Sequence, residues 1–122
     1  MIQELRLSAP NKVTIAPDGS FVQFFIPNTT TPLNADYTVN WTDADEVTYA
    51  LGGTDDRQII RTDQAGKETV MANDITSLFF TGDANPPHVV TVTVNLQRQM
   101  TNERQMTATP LQLSAKAELR NV

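Results

Sequence analysis

The sequence predicts an α+β domain that is mostly β: the C-terminal end of one helix packed against an antiparallel sheet of about six or seven short strands. Three observations carry this reading. Helical spacing of apolar residues occurs only at the start, where Ile2, Leu5 and Ala9 precede Pro10. From Lys12 onward apolar and polar residues alternate, the period of a strand with one face in a core. Clusters of Gly, Pro, Asn and Asp then divide that alternation into short runs. At 122 residues the chain suits a single domain, residues 1–122, with 1–9 as a helix remnant and 12–122 as a β-rich head.

Gln3, Glu4 and Arg6 separate the apolar positions of the helix, and Pro10 ends it by restricting Ala9 and offering no amide hydrogen. No capping residue precedes Ile2, and a helix of this length is marginal in isolation, so a longer parent helix is expected and Met1 is not read as native. Val13 and Ile15 start a strand, Pro17-Asp18-Gly19-Ser20 turns the chain, and Phe21 to Ile26 returns until Pro27 stops it. Residues 28–34 (NTTTPLN) read as a polar loop. Tyr37, Val39 and Trp41 alternate with Thr38, Asn40 and Thr42, which predicts a strand pairing with the next one, Val47 to Leu51, and places the three aromatics Tyr37, Trp41 and Tyr49 in the core. Residues 52–56 form a turn leading to a strand at Arg57 to Arg61, and Asp63-Gln64-Ala65-Gly66 turns again before Glu68 to Met71. Asp74 to Thr81 carries Leu78-Phe79-Phe80. Val90, Val92, Val94 and Leu96, then Leu111, Leu113, Ala115, Ala117 and Leu119, alternate without a break around a polar connection at Thr101 to Thr107. Ile2 and Leu5 are expected to pack on the face bearing Val92, Val94, Leu113 and Leu119, so that a charge at Val92 or Leu113 would unfold the domain.

Nine Lys and Arg against fourteen Asp and Glu give a net charge of -5, which repels nucleic-acid backbones and anionic head groups. No nucleic-acid partner is expected. The absence of Cys removes disulfides, thiolate nucleophiles and Cys-ligated zinc. The longest apolar runs fall far short of the roughly 20 residues that span a bilayer, and the first residues lack the basic start and apolar stretch of a secretory signal.

The order of these landmarks is similar to the soluble part of type IV pilin-like proteins, the minor pilins and type II secretion minor pseudopilins that carry a prepilin-type cleavage and methylation segment. The opening QELRLSAPNKVTI resembles the point where the long pilin helix gives way to the first strand, with Leu5, Arg6 and Ala9 in the places of the helix-end motif. EVTYALGGTDDRQIIRTD looks like the family's hairpin of a Tyr-containing strand and a strand ending in Arg, here Tyr49 and Arg61. ANDITSLFF resembles the segment that introduces the next core strand. VVTVTVNLQRQ, a polar loop and LQLSAKAELRNV look like the penultimate strand and the terminal Leu119, Arg120 and Asn121. The family's basic leader, Gly before the cleavage point, following aromatic residue and apolar run with one Glu do not occur in this chain.

The resemblance implies a structural subunit of a bacterial pilus-like filament or secretion pseudopilus. A prepilin peptidase would trim the leader, and an N-terminal helix absent from this chain would sit in the inner membrane and then in the filament core. The head would lie in the periplasm or on the cell-surface filament and act by contacts with other subunits, with no catalysis and no cofactor. Candidate contact surfaces are the exposed face of the last strand and the loops at 28–34 and 97–106 (QRQMTNERQM). Rival readings are a carbohydrate- or ligand-binding β-sandwich, whose mark is a flat exposed row of aromatics, and a phage or virion structural domain.

Residues that carry chemistry elsewhere are weakly placed here. His88 is the only histidine and follows Pro86-Pro87 in a loop, which leaves no partner for a catalytic pair in the sequence pattern. Ser8, Ser20, Ser77 and Ser114 lie in no nucleophile-elbow pattern. Asp43, Asp45 and Glu46, and Asp55 and Asp56, cluster as acidic turns that are candidates for calcium through Asp43, Asp45, Asp55 and Asp56. They lack the spaced Asp, Gly and Glu of a helical calcium loop, and solvated turns are their alternative reading. Gly52-Gly53 lies between two strands and is a turn, not a phosphate cradle. Arg98 and Arg104 flank a polar loop with Glu103.

Overall fold

The computed structural model describes residues 1–97 and 110–120. One short helix, α1 (Ile2–Arg6), precedes eight strands: β1 (Val13–Ile15), β2 (Phe21–Ile26), β3 (Asp45–Gly52), β4 (Gln58–Thr62), β5 (Glu68–Ala72), β6 (Ile75–Gly82), β7 (Val89–Leu96) and β8 (Leu111–Glu118). They form two antiparallel sheets, β1-β2-β3-β4-β5 and β6-β7-β8. The expected single sheet of six or seven strands under a helix is therefore corrected. The cover that the sequence reading assigned to the helix comes largely from a second sheet, and the helix contributes five residues.

The division occurs at Asn73-Asp74. Asp74 adopts φ 60°, a left-handed conformation that a short polar side chain tolerates, and the chain leaves the first sheet there. Ile75 N donates to the Arg57 carbonyl at 2.9 Å, and Gln97 N to the Asp74 carbonyl at 3.0 Å, so the corner is fastened to both sheets. β6 then pairs with β7, with Phe80 opposite Val92 and Leu78 opposite Val94. A second junction joins the β1–β2 turn to β6, where Phe80 N donates to the Gly19 carbonyl at 2.9 Å.

Within the first sheet, alternation puts Val22, Phe24, Val47, Tyr49 and Ile59 inward, and all are buried. Register aligns Val22 with Tyr49 and Tyr49 with Arg61, and Phe24 with Val47. Phe24 and Tyr49 rings stack with centroids 6.1 Å apart. The second sheet contributes Ile75, Leu78, Phe80, Val90, Val92 and Ala117 to the same cluster, with Leu119 just past β8, and α1 contributes Leu5 with no exposed surface. Burial of side chains of this size stabilises by about 1.5 to 3 kcal/mol each. The cover ends before the far end of β8: Leu111 and Leu113 are 49% and 52% exposed, and Val94 and Leu96 are only partly buried. The expectation that Leu113 is a core residue is corrected, whereas Val92 is 3% exposed.

Two local readings also change. The helix stops at Arg6, not Ala9, and Pro10–Lys12 forms a separate 3₁₀ turn with Pro10 in its first turn. Ser8 lies buried between them, and its hydroxyl finds no hydrogen-bond partner among the described residues. The expected strand at 37–42 is absent; a lone bridge joins Leu33 and Val39, and the strand β3 pairs with β2 and β4 instead. The cause is side-chain capture of the backbone: Asp36 Oδ1 accepts from Thr38 N and Asn40 Oδ1 from Thr42 N, which competes with a ladder.

Candidate functional site

The most organised polar cluster joins α1 to the first sheet. Glu4 projects from the helix onto the sheet's inner face, where antiparallel register has already set Tyr49 on β3 opposite Arg61 on β4. Arg61 grips the carboxylate with both arms, Nε to Oε1 at 3.1 Å and Nη2 to Oε2 at 2.8 Å. The Tyr49 hydroxyl donates to Oε1. Such forked, charge-assisted bonds fix orientation as well as adding energy. The ion pair is three-quarters buried, with side-chain exposures of 24% for Arg61 and 27% for Glu4.

The electrostatics follow from this geometry. Burial opposes ionisation of Glu4, but the hydrogen bonds from Arg61 and Tyr49 and the guanidinium charge outweigh it, holding the carboxyl below its ordinary value. Burial first, then the adjacent Glu4 carboxylate, pushes the Tyr49 phenol far up, so it stays a neutral donor. The cluster therefore holds charge in place. It does not present a group poised to exchange protons near neutral pH.

Beside Arg61 lies a shallow cleft of about 570 Å³ lined by Asp45, Val47, Arg61, Asp63, Gln64 and Ala65. A groove of about 470 Å³ runs between β1 with its turn and β6, bounded by Ile15, Pro17, Gly19, Phe79 and Pro87. Its walls carry no charged side chain.

The structure disperses the sequence-predicted candidates. Asp43 and Asp45 lie at the start of β3, while Asp55 and Asp56 lie in the 3₁₀ turn Thr54–Asp56 beyond its end, so the four calcium candidates do not converge. Asp43, Asp55 and Asp56 have φ of 55°, 56° and 52°, which marks them as turn residues. Among the described residues no group of three or more His, Asp or Glu is arranged to hold a metal. His88 is exposed, and its backbone N donates to Asp83 Oδ1 at 2.8 Å. Ser77 Oγ accepts from Asn95 Nδ2, and Ser20 and Ser114 are exposed.

The aromatics also part company. Tyr49 is fully buried, Trp41 is half-buried with the Lys12 ammonium 5.4 Å from its ring centroid, and Tyr37 is 85% exposed. Core placement of Tyr37 and Trp41 is thus corrected, and the three do not line up as a sugar-stacking row. Of the proposed contact surfaces, residues 28–34 form an exposed loop and the polar face of β8 is exposed. The loop at 97–106 beyond Gln97, with Arg98, Glu103 and Arg104, and the terminal Asn121 lie outside the described residues.

In sequence, Tyr49 and Arg61 are landmarks of the pilin-like resemblance and Glu4 is only a polar spacer in the helix. Their meeting spans 45 and 57 positions along the chain, and no local pattern records it. No family model matches the chain, and neither does any curated protein or solved structure with which it was compared. Among the described residues no helix is long and apolar enough to cross a membrane.

Proposed function

We propose that the chain is the head of a structural subunit, a minor pilin or minor pseudopilin, in a bacterial pilus-like filament or secretion pseudopilus. The observation that supports this best is the clamp on α1. Leu5 is wholly buried and Glu4 is held by Arg61 and Tyr49, so a pull on the N-terminal segment passes directly into β3 and β4. Such a junction suits a head carried on an upstream anchor. The order of landmarks described above supports the same reading.

In this reading an upstream segment holds the protein in the inner membrane, the head lies in the periplasm or on the filament surface, and other subunits are its partners. It acts by contact. The exposed apolar row of Leu111 and Leu113 and the loop at 27–44 supply the kind of surface on which such contacts form. The two-sheet architecture is shared with the ligand-binding sandwich, which keeps that reading as the rival.

Deletion of the gene in the native host tests the proposal. Surface filaments, or secretion through a pseudopilus, should be lost and restored by the full-length gene. Undiminished filaments and secretion in the deletion strain would overturn it.

A further inference from the structure

Residues 27–44 leave the sheet after Ile26 and return at Asp45. That is longer than the about 12 to 15 residues beyond which loops become uncommon in a compact domain. It is held in shape by its own polar groups. Asn28 Nδ2 donates to the Thr42 carbonyl at 3.1 Å, Asn34 Nδ2 to Thr38 Oγ1 at 3.0 Å and Asn40 Nδ2 to the Thr31 carbonyl at 2.8 Å. Backbone bonds add Asn28 N to the Asn40 carbonyl and Asn40 N to the Pro32 carbonyl.

At the tip of this frame stands Tyr37, with φ 68° and 85% of its surface exposed, near the half-exposed Leu33. A left-handed backbone is disfavoured by roughly tenfold for a residue that is not Gly, Asn or Asp. Burial inside the chain does not offset that penalty, because most of the ring stays in water. A strained, outward-facing tyrosine on a hydrogen-bonded loop has the character of an interface anchor: large contact area and few rotatable bonds.

We propose that Tyr37 anchors a docking surface for a neighbouring protein subunit whose face carries an apolar pocket rimmed by Lys or Arg. The inference rests on the filament reading for the source of the partner. The charge of the rim follows from Asp36, which precedes Tyr37 at the tip, while residues 28–46 contain no Lys or Arg. Lys12, from outside the loop, lies over the Trp41 ring. Hydrogen bonds from Thr38 hold the Asp36 carboxyl below its ordinary range, so it stays anionic beside Tyr37. A glycan fits less well. The three Asn amides that could read hydroxyls are committed within the loop, and a single phenol makes no stacking row.

Two measurements in the full-length protein test this. With photoreactive p-benzoylphenylalanine at position 37 in native cells, illumination should link the chain to another protein, and mass spectrometry should place the link on a surface bearing Lys or Arg. Changing Asp36→Asn should lower the yield by about twofold or more. Tyr37→Gly should leave thermal stability equal or higher, because glycine relieves the strained φ, while partner association falls by about tenfold or more.

A link to a second copy of the chain, to a glycan or to nothing would overturn the proposal, as would unchanged association in Tyr37→Gly. The two readings fail separately. A basic-rimmed partner outside any filament would uphold the docking loop and defeat the filament assignment. Filaments that depend on the gene but ignore Tyr37→Gly would do the reverse.

Discussion

Replacing Arg61 with Met removes the guanidinium but keeps an apolar stem, and it leaves the Glu4 carboxylate with the Tyr49 hydroxyl as its remaining side-chain donor. Exposed ion pairs contribute about 0.2 to 1 kcal/mol, whereas stranding one partner of a fully buried pair costs about 3 to 5. At 24% and 27% side-chain exposure this pair lies between those limits. Arg61→Met should therefore cost about 2 kcal/mol, and Glu4→Gln about 1 to 2, since the amide retains one acceptor for Tyr49. The double variant should lose less than the sum of the two, with a coupling of about 1 to 1.5 kcal/mol. Urea unfolding followed by circular dichroism measures all three, and the single variants should melt about 5 °C or more below the parent.

The same cycle has a pH signature. The folded pKa of Glu4 lies below its ordinary value of 4.5, so the unfolded chain takes up the proton first as pH falls. The stabilisation is thus fully present above about 4.5 and is lost as pH drops through the lowered folded value. Coupling should be complete at pH 7 and vanish in strong acid. Additive single effects at pH 7, within about 0.5 kcal/mol, would refute the idea that the clamp ties α1 to the sheet.

Two further substitutions probe the packing. In Gly19→Ala the new Cβ would lie 2.2 Å from Phe79 Cε2 and 2.9 Å from the Phe80 carbonyl oxygen, at φ 76°. It should destabilise by about 2 kcal/mol or more in a urea melt, and a loss under about 0.5 would contradict the β1–β2 junction with β6. Val92→Lys should abolish cooperative thermal unfolding, while Leu113→Lys should shift stability by less than about 1 kcal/mol, because Val92 is 3% exposed and Leu113 52%. Equal damage from both would contradict the observed end of the cover over β8.

Much of the strand content is readable from residues alone. The turn at Pro17 to Ser20, the stop at Pro27, the hairpin around residues 52–56 and the long alternations of β7 and β8 are local signals, and each element forms near where its pattern lies. Partition into two sheets is not local. Period two tells which face a residue occupies but not which strand lies beside it, and the deciding corner, Asp74 at φ 60°, looks in sequence like the first residue of a strand. The alternation at 37–42 misled for a different reason. Tyr37, Val39 and Trp41 have strand-forming side chains, but Asn34, Asp36 and Asn40 compete for the same backbone groups and win. The helix clamp was invisible because it depends on register: Arg61 and Tyr49 face Glu4 only once β3 and β4 have paired. The acidic turns are legible as two separate clusters, since Asp43 and Asp45 lie at the start of β3 and Asp55 and Asp56 follow it.

The assignment to a filament is tested most directly by reading the genomic frame immediately upstream of Ile2. The account predicts a Gly, an aromatic residue after it and about twenty largely apolar residues with one Glu, enough to span a bilayer as a helix. A native start at Met1, with a stop codon in frame before it, would contradict the filament assignment and leave a two-sheet β domain with another role.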